Sequence, residues 1–278
     1  MKQIFDRVSM ECSVKTTKSY STSFSLGIRF LTERFQNPIY AIYGFVRFAD
    51  EIVDTFHEFD KEKLLKEFKA DTFKAIDAGI SLNPILNSFQ WAVNKYNIDR
   101  EHIETFLRSM EMDLEKNEYN QNAYEEYILG SAEVVGLMCL RVFTEGNDEM
   151  YQRLAPSAQR LGAAFQKINF LRDLKADSQT LGRMYFPNLD LNRFDCEMKK
   201  QIEAEIEEDF NEAYKGIVQL PKDARLGVYV AYVYYLQLFK KIQKLSSDRI
   251  LEERIRIPNN SKFTLFVQSY VKHSFNMI

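Results

Sequence analysis

Apolar positions recur at helical spacing along most of the chain. That period predicts helices at 38–56, 61–78, 84–96, 99–117, 123–145, 150–178, 197–218 and 222–246, with a last helix over 261–276. The punctuation agrees: Pro38 and Pro156 stand near the starts of their segments, and Gly79 follows the second helix as a stop. Small residues, Gly130, Ser131, Ala132 and Gly136, occupy the middle of 123–145. Residues 179–195, QTLGRMYFPNLDLNRFD, are rich in turn formers and read as a loop. No run alternates apolar and polar residues as a strand would, and no fixed-period repeat is present. The pattern predicts one all-α domain, 1–278, of eight or more helices.

Two of these helices carry polar residues in an ordered stripe. In YAIYGFVRFADEIVD (40–54), eleven of fifteen residues are apolar, aromatic or glycine, and the charged ones are Arg47, Asp50, Glu51 and Asp54. Tyr43, Arg47, Asp50 and Asp54 fall at i, i+4, i+7 and i+11 and share one face. A helix that is apolar around the rest of its circumference is buried, so the stripe faces either water or an internal cavity. In 161–186, Gln166, Asn169, Asp173 and Asp177 form a second stripe, flanked by Leu161, Phe165, Ile168, Leu171 and Leu174. Such a Gln/Asn/Asp stripe is also what an ordinary wet surface looks like. Two aspartate pairs on separate buried helices repel one another if they converge, and convergence is tolerable only with cations between them. Mg²⁺ is suited to that place, because it takes oxygen ligands, keeps waters and commonly uses one or two carboxylates plus substrate phosphates.

Composition narrows the chemistry. With 10 Gly and 6 Pro the chain is poor in the turn formers that an α/β fold needs. A net charge of −3 leaves no nucleic-acid footprint. The 22 Phe and 15 Tyr suit a core, or a pocket for a large apolar ligand. His57, His102 and His273 lack metal-ligand spacing. Neither G-x-x-x-x-G-K-[ST] nor G-x-G-x-x-G occurs, so any phosphate must be held by metal and by Arg or Lys. Cys12, Cys139 and Cys196 form neither a disulfide framework nor a zinc site and suit a reducing compartment. The N-terminus, MKQIFDRVSMECS, does not read as a signal peptide, and no apolar stretch reaches the length of a membrane span. The chain is therefore expected in the cytoplasm or peripheral at the inner membrane face. Its C-terminal KFTLFVQSYVKHSFNMI mixes apolar and basic residues, which suits either a membrane contact or a helix packed on the core.

Several stretches together resemble the squalene/phytoene synthases, the head-to-head trans-isoprenyl diphosphate synthases. They are YSTSFSLGIRFL (20–31), YAIYGFVRFADEIVD (40–54), MEMDLEKNEY (110–119), YILGSAEVVGLMCLRVF (127–143), LGAAFQKINFLRDLKADSQTLGRMYFP (161–187), YYLQLFKKI (234–242) and ERIRIP (253–258). The resemblance covers nearly the whole chain. Glu51 departs from it, since many phytoene synthases have a second Asp there. The resemblance implies an all-α bundle around a central cavity and a two-step condensation of two prenyl diphosphates through a cyclopropyl intermediate. It implies that Asp50, Asp54, Asn169, Asp173 and Asp177 bind or support Mg²⁺, with Mn²⁺ as a substitute. It implies diphosphate contacts from Ser21, Ser23, Arg47, Arg172 and Arg254. Tyr43, Tyr127, Gln166 and Tyr235 would line the reaction centre and Phe24 the pocket. Phytoene from two geranylgeranyl diphosphates is the expected product. Squalene or dehydrosqualene from farnesyl diphosphate is the alternative, and a non-catalytic assembly protein is the competitor from another class. Reductive squalene synthases are usually longer and use NADPH; the chain ends soon after ERIRIP, so no NADPH is expected. Whether the protein is a monomer or a homodimer is left open.

Overall fold

The computed structural model describes residues 1–115, 119–176, 182–187, 189, 194–252, 255–257 and 269. Asp177, Arg254 and nearly all of the expected helix 261–276 lie outside the described residues. Among those described the regular structure is all helical, with Met184 in a single isolated bridge and no strand.

Three helices come first. Helix α1, Lys2–Tyr20, and α2, Thr22–Arg29, precede the first segment that apolar periodicity marks. Helix α1 buries Ser9, Ser13 and Thr17 at i, i+4 and i+8 where an amphipathic helix would bury leucines. Those hydroxyls are answered: Ser13 Oγ lies 2.6 Å from Ser88 Oγ, and Asn87 Nδ2 donates to Ser9 Oγ at 3.2 Å. Helix α3, Glu33–Asp54, begins a turn earlier than predicted, so Pro38 is inside it and not in its first turn. Proline removes the N–H that would bond the Arg34 carbonyl. The Tyr96 hydroxyl replaces that donor at 3.4 Å, and the helix runs on.

Helix α4, Lys61–Ala78, is capped by Asp60, whose carboxylate accepts from Lys63 N, and is closed by Gly79 at φ 67°. Helix α5, Pro84–Tyr96, has the Asn83 cap with proline in its first turn. Helix α6 spans Arg100–Glu115. Helix α7, Gln121–Ile128, runs through a π-helical turn, Leu129–Glu133, into α8, Val134–Thr144. The small residues sit at that turn because neighbouring backbones close on it. A Cβ on Gly130 would lie 2.7 Å from Thr105 O of α6, and one on Gly162 would lie 2.5 Å from Ala132 O. This rod, Gln121–Thr144, is long and apolar enough to cross a membrane by composition, which corrects the expectation that no stretch is. Its central window is 67% buried within the protein, against α6 and the long helix α9, Asp148–Ala176. Helices α10, Cys196–Ile217, α11, Lys222–Gln243, and the short α12, Ser247–Glu252, complete the bundle. Along α9 and α10, Asp209 is buried and paired by Arg160 at 3.0 Å and Lys167 at 2.9 Å.

The core has two centres. One gathers around Phe45, stacked 3.9 Å from Phe89, with Phe35 and Phe106. The other gathers around Phe210, Phe239, Leu238 and Ile242. Each fully buried Phe or Leu contributes about 1.5–3 kcal/mol relative to exposure. Val228 of α11 packs against both centres.

Candidate functional site

The end of α3 meets α6 and the segment after α9 at a buried polar centre. Asp113 of α6 accepts hydrogen bonds from three tyrosines: Tyr119 at 3.0 Å, Tyr127 at 2.7 Å and Tyr185 at 3.1 Å. Arg183, 6% exposed, lies 3.6 Å from the same carboxylate. It donates to Asp54 Oδ1 at 2.7 Å and to the Val53 carbonyl at 3.0 Å. The first aspartate pair is thereby tied to the segment that follows the second motif. Burial, reinforced by the Asp113 charge, pushes the Tyr127 and Tyr185 hydroxyls well above the usual tyrosine range, so both are donors at any neutral pH.

Asp50 stands one turn before Asp54. Burial first and the neighbouring Asp54 charge second push its carboxyl up to about 7, with Arg47 opposing. For Asp113 burial again dominates and gives about 6, with Arg183 and the tyrosines holding it down. Lys61, which donates to the Val53 carbonyl at 2.9 Å, has its ammonium pKa lowered by burial and by Arg183.

The second stripe is organised differently. Gln166 Nε2 donates to Ser131 Oγ at 3.3 Å in the π-helical turn, and Asn169 Nδ2 donates to Gln166 Oε1 at 3.5 Å. Tyr235 of α11 donates to Asn169 Oδ1 at 3.3 Å. Arg172 grips Asp173 with two bonds, at 3.0 Å and 2.5 Å. An aromatic bridge joins the stripes. The Phe24 ring of α2 lies 5.9 Å from Tyr43 and 5.8 Å from Tyr235, and Tyr235 stacks on Phe165 at 3.9 Å. Ser21 caps α2 by accepting from Phe24 N at 3.1 Å, and half-buried Ser23 sits in the same first turn. Arg47 pairs with Glu51 and lies over the Tyr20 ring.

The structure thus brings Asp54 and Tyr127 to the Asp113–Arg183 centre, sets Tyr43 beside Asp50, Arg47 and Phe24, and gathers Gln166, Asn169, Arg172, Asp173 and Tyr235 at another place. Phe24 stands between Tyr43 and Tyr235. Sequence reasoning singled out neither Asp113, Tyr119, Arg183 nor Tyr185. A signal for Asp113 existed: it shares the apolar face of α6 with Phe106 and Met110, at i, i+4 and i+7, where a lone acid must be answered.

The donor set fits a hard divalent cation. Asp50 is a desolvated carboxylate beside a second one, Asp54. Among the described residues no three His, Cys, Asp or Glu gather into a ready-made cage. Paired carboxylates that leave the remaining positions to water and substrate oxygens are what Mg²⁺ favours.

An all-helical bundle with two acidic stripes flanking an aromatic wall defines a class, and the comparisons identify it. The family model for squalene/phytoene synthase matches residues 17–261, and the chain belongs to that family, whose members are prenyltransferases. "Phytoene synthase 1, chloroplastic" of Zea mays is 26% identical over 87% of this chain, and the match spans 62% of the maize protein's own length. "Phytoene synthase" of Arthrospira platensis is 25% identical over 91% of this chain and 90% of its own. "4,4'-diapophytoene synthase" of Staphylococcus haemolyticus is 27% identical over 67% of this chain and 65% of its own. The crystal structure of a dehydrosqualene synthase in complex with ligand superposes at TM-score 0.80 with 21% identity, covering 96% of this chain and 98% of that one, which is a likeness of fold.

Proposed function

We propose that the protein joins two geranylgeranyl diphosphates head to head to give phytoene, releasing both diphosphates. The observation that carries this reading is the pairing of two acidic stripes with fixed cations, Arg183 at Asp54 and Arg172 at Asp173, across the Phe24–Tyr43–Tyr235 aromatic wall. Phytoene is preferred because phytoene synthases match along most of this chain. The C15 product, dehydrosqualene or squalene, is the second reading, favoured by the similarity to the diapophytoene synthase.

Mg²⁺ bound through Asp50, Asp54, Asp173 and Asp177, with Asn169 in support, would neutralise and orient a departing diphosphate. The remaining work falls to the chain. Arg47, Arg172 and Arg254, with Ser21 and Ser23, hold diphosphate oxygens where negative charge develops. Tyr43, Phe24 and Tyr235 present ring faces to the allylic cation, each worth roughly 0.5–2 kcal/mol. The second substrate's double bond attacks that cation, and loss of a proton closes the cyclopropyl intermediate. Departure of the second diphosphate, rearrangement and loss of a second proton then give the linear product. Tyr127, Gln166 and the buried tyrosines around Asp113 keep the centre ordered and exclude water that would quench the cation. Contact with a membrane that accepts the apolar product belongs to the same reading.

The test is incubation of purified protein with Mg²⁺ and either diphosphate, followed by product analysis. Consumption of the C20 substrate to phytoene supports the first reading. Turnover of the C15 substrate alone replaces it with the second, and inertness toward both leaves a binding protein.

A further inference from the structure

The guanidinium of Arg47 is held on two sides and open on a third. Nη2 pairs with Glu51 one helical turn on. The Tyr20 ring covers its face, with Cζ 4.4 Å from the ring centroid. Nε is buried and has no hydrogen-bond partner among the described residues. A buried N–H donor left open costs free energy unless a ligand fills it. Glu51 follows Asp50 in sequence but points about 100° away around the helix, off the Asp50/Asp54 stripe. Its carboxylate is committed to Arg47, and its side chain is 13% exposed.

We propose that Glu51 and Tyr20 are positioning residues for Arg47, which they fix so that its Nε edge is presented to an anion beside Asp50. This rests on the function proposed above, in which that anion is the substrate diphosphate. Glu51 supplies the distal clamp and Tyr20 the flat support that stops the long side chain from sampling other rotamers. The extra methylene of Glu over Asp lets the carboxylate reach Arg47 across one turn. The acidic residue at 51 thereby serves the cationic side of the site and leaves metal binding to Asp50 and Asp54.

The test is calorimetric titration of inorganic diphosphate into the full-length protein at several Mg²⁺ concentrations, with thermal melts as a folding control. Glu51→Gln and Tyr20→Leu should each weaken diphosphate binding about three- to tenfold, and Tyr20→Phe should restore it. The Mg²⁺ concentration giving half-maximal binding should be the same in Glu51→Gln as in wild type. In turnover KM should rise while kcat holds. Tyr20 is half-exposed, so Tyr20→Leu is the variant expected to fold without question. A shifted Mg²⁺ midpoint in Glu51→Gln would make Glu51 a carboxylate of the metal side and overturn the proposal. Unchanged affinity in both variants would overturn it while leaving the proposed function standing. A wild-type protein with no Mg²⁺-dependent affinity for diphosphate would remove both.

Discussion

Asp50 and Asp113 lie within range of one another's charge, and burial pushes both carboxyls up, to about 7 and about 6. Around Asp113 the chain supplies three tyrosine donors and Arg183. Around Asp50 it supplies a second aspartate, and Arg47 is already engaged with Glu51. The tyrosine donors and Arg183 lower the carboxyl at 113 against its burial, whereas at 50 the charge of Asp54 adds to burial. One carboxylate is completed by the protein itself. The other faces Asp54 and, in the function proposed above, would take its remaining positive charge from a divalent cation.

The comparison can be broken at its functional end first. Asp54→Ala and Asp173→Ala should each cut Mg²⁺-dependent diphosphate release by more than about 10²-fold while melting curves still show a cooperative transition at a lowered temperature, since each also removes the partner of Arg183 or Arg172. Retained release in both would remove the metal role. Next in size, Asp113→Ala leaves three buried tyrosine hydroxyls without their acceptor and removes one of the two carboxylates facing Arg183, and urea unfolding should show a loss of about 3–5 kcal/mol. An unchanged midpoint would mean that water completes that centre as well as the carboxylate does.

The opposite sign is expected at Asp50. Its folded pKa is raised, so its stabilising contribution is full below 3.8 and is lost as pH climbs through about 7. Asp50→Asn should therefore stabilise the metal-free protein by on the order of 1–3 kcal/mol above neutrality and by nearly nothing at about pH 4, read from unfolding curves at the two pH values. Smallest of all, Tyr185→Phe removes one of three donors and should cost about 1 kcal/mol. It should also move the Asp113 titration upward by carbon-detected NMR. A downward shift would contradict the assignment of those tyrosines as donors.

How much of this was legible depended on distance along the chain. Helices α4 and α5 could be read because their ends are written locally, in Asp60, Gly79, Asn83 and Pro84. Helix α1 could not, because it docks through Ser9, Ser13 and Thr17, and hydroxyls give no apolar period. The start of α3 was misplaced because a proline inside a helix looks like one at its beginning, unless the Tyr96 donor far along the chain is known. The aspartate stripes were visible as helical phase. Arg183 was not, since it stands in a segment without period and its partners, Asp54 and Asp113, are contributed by α3 and α6.

The π-helical turn at Leu129–Glu133 makes the 121–144 rod a keyed shaft. Ahead of the turn, Tyr127 is aimed at Asp113; beyond it, Leu137, Met138 and Leu140 are aimed into the other half of the core. Removing one residue there would rotate the two ends against each other by about 100°. Variation along this rod can therefore proceed by exchanging side chains, while its length behaves as a fixed dimension of the machine.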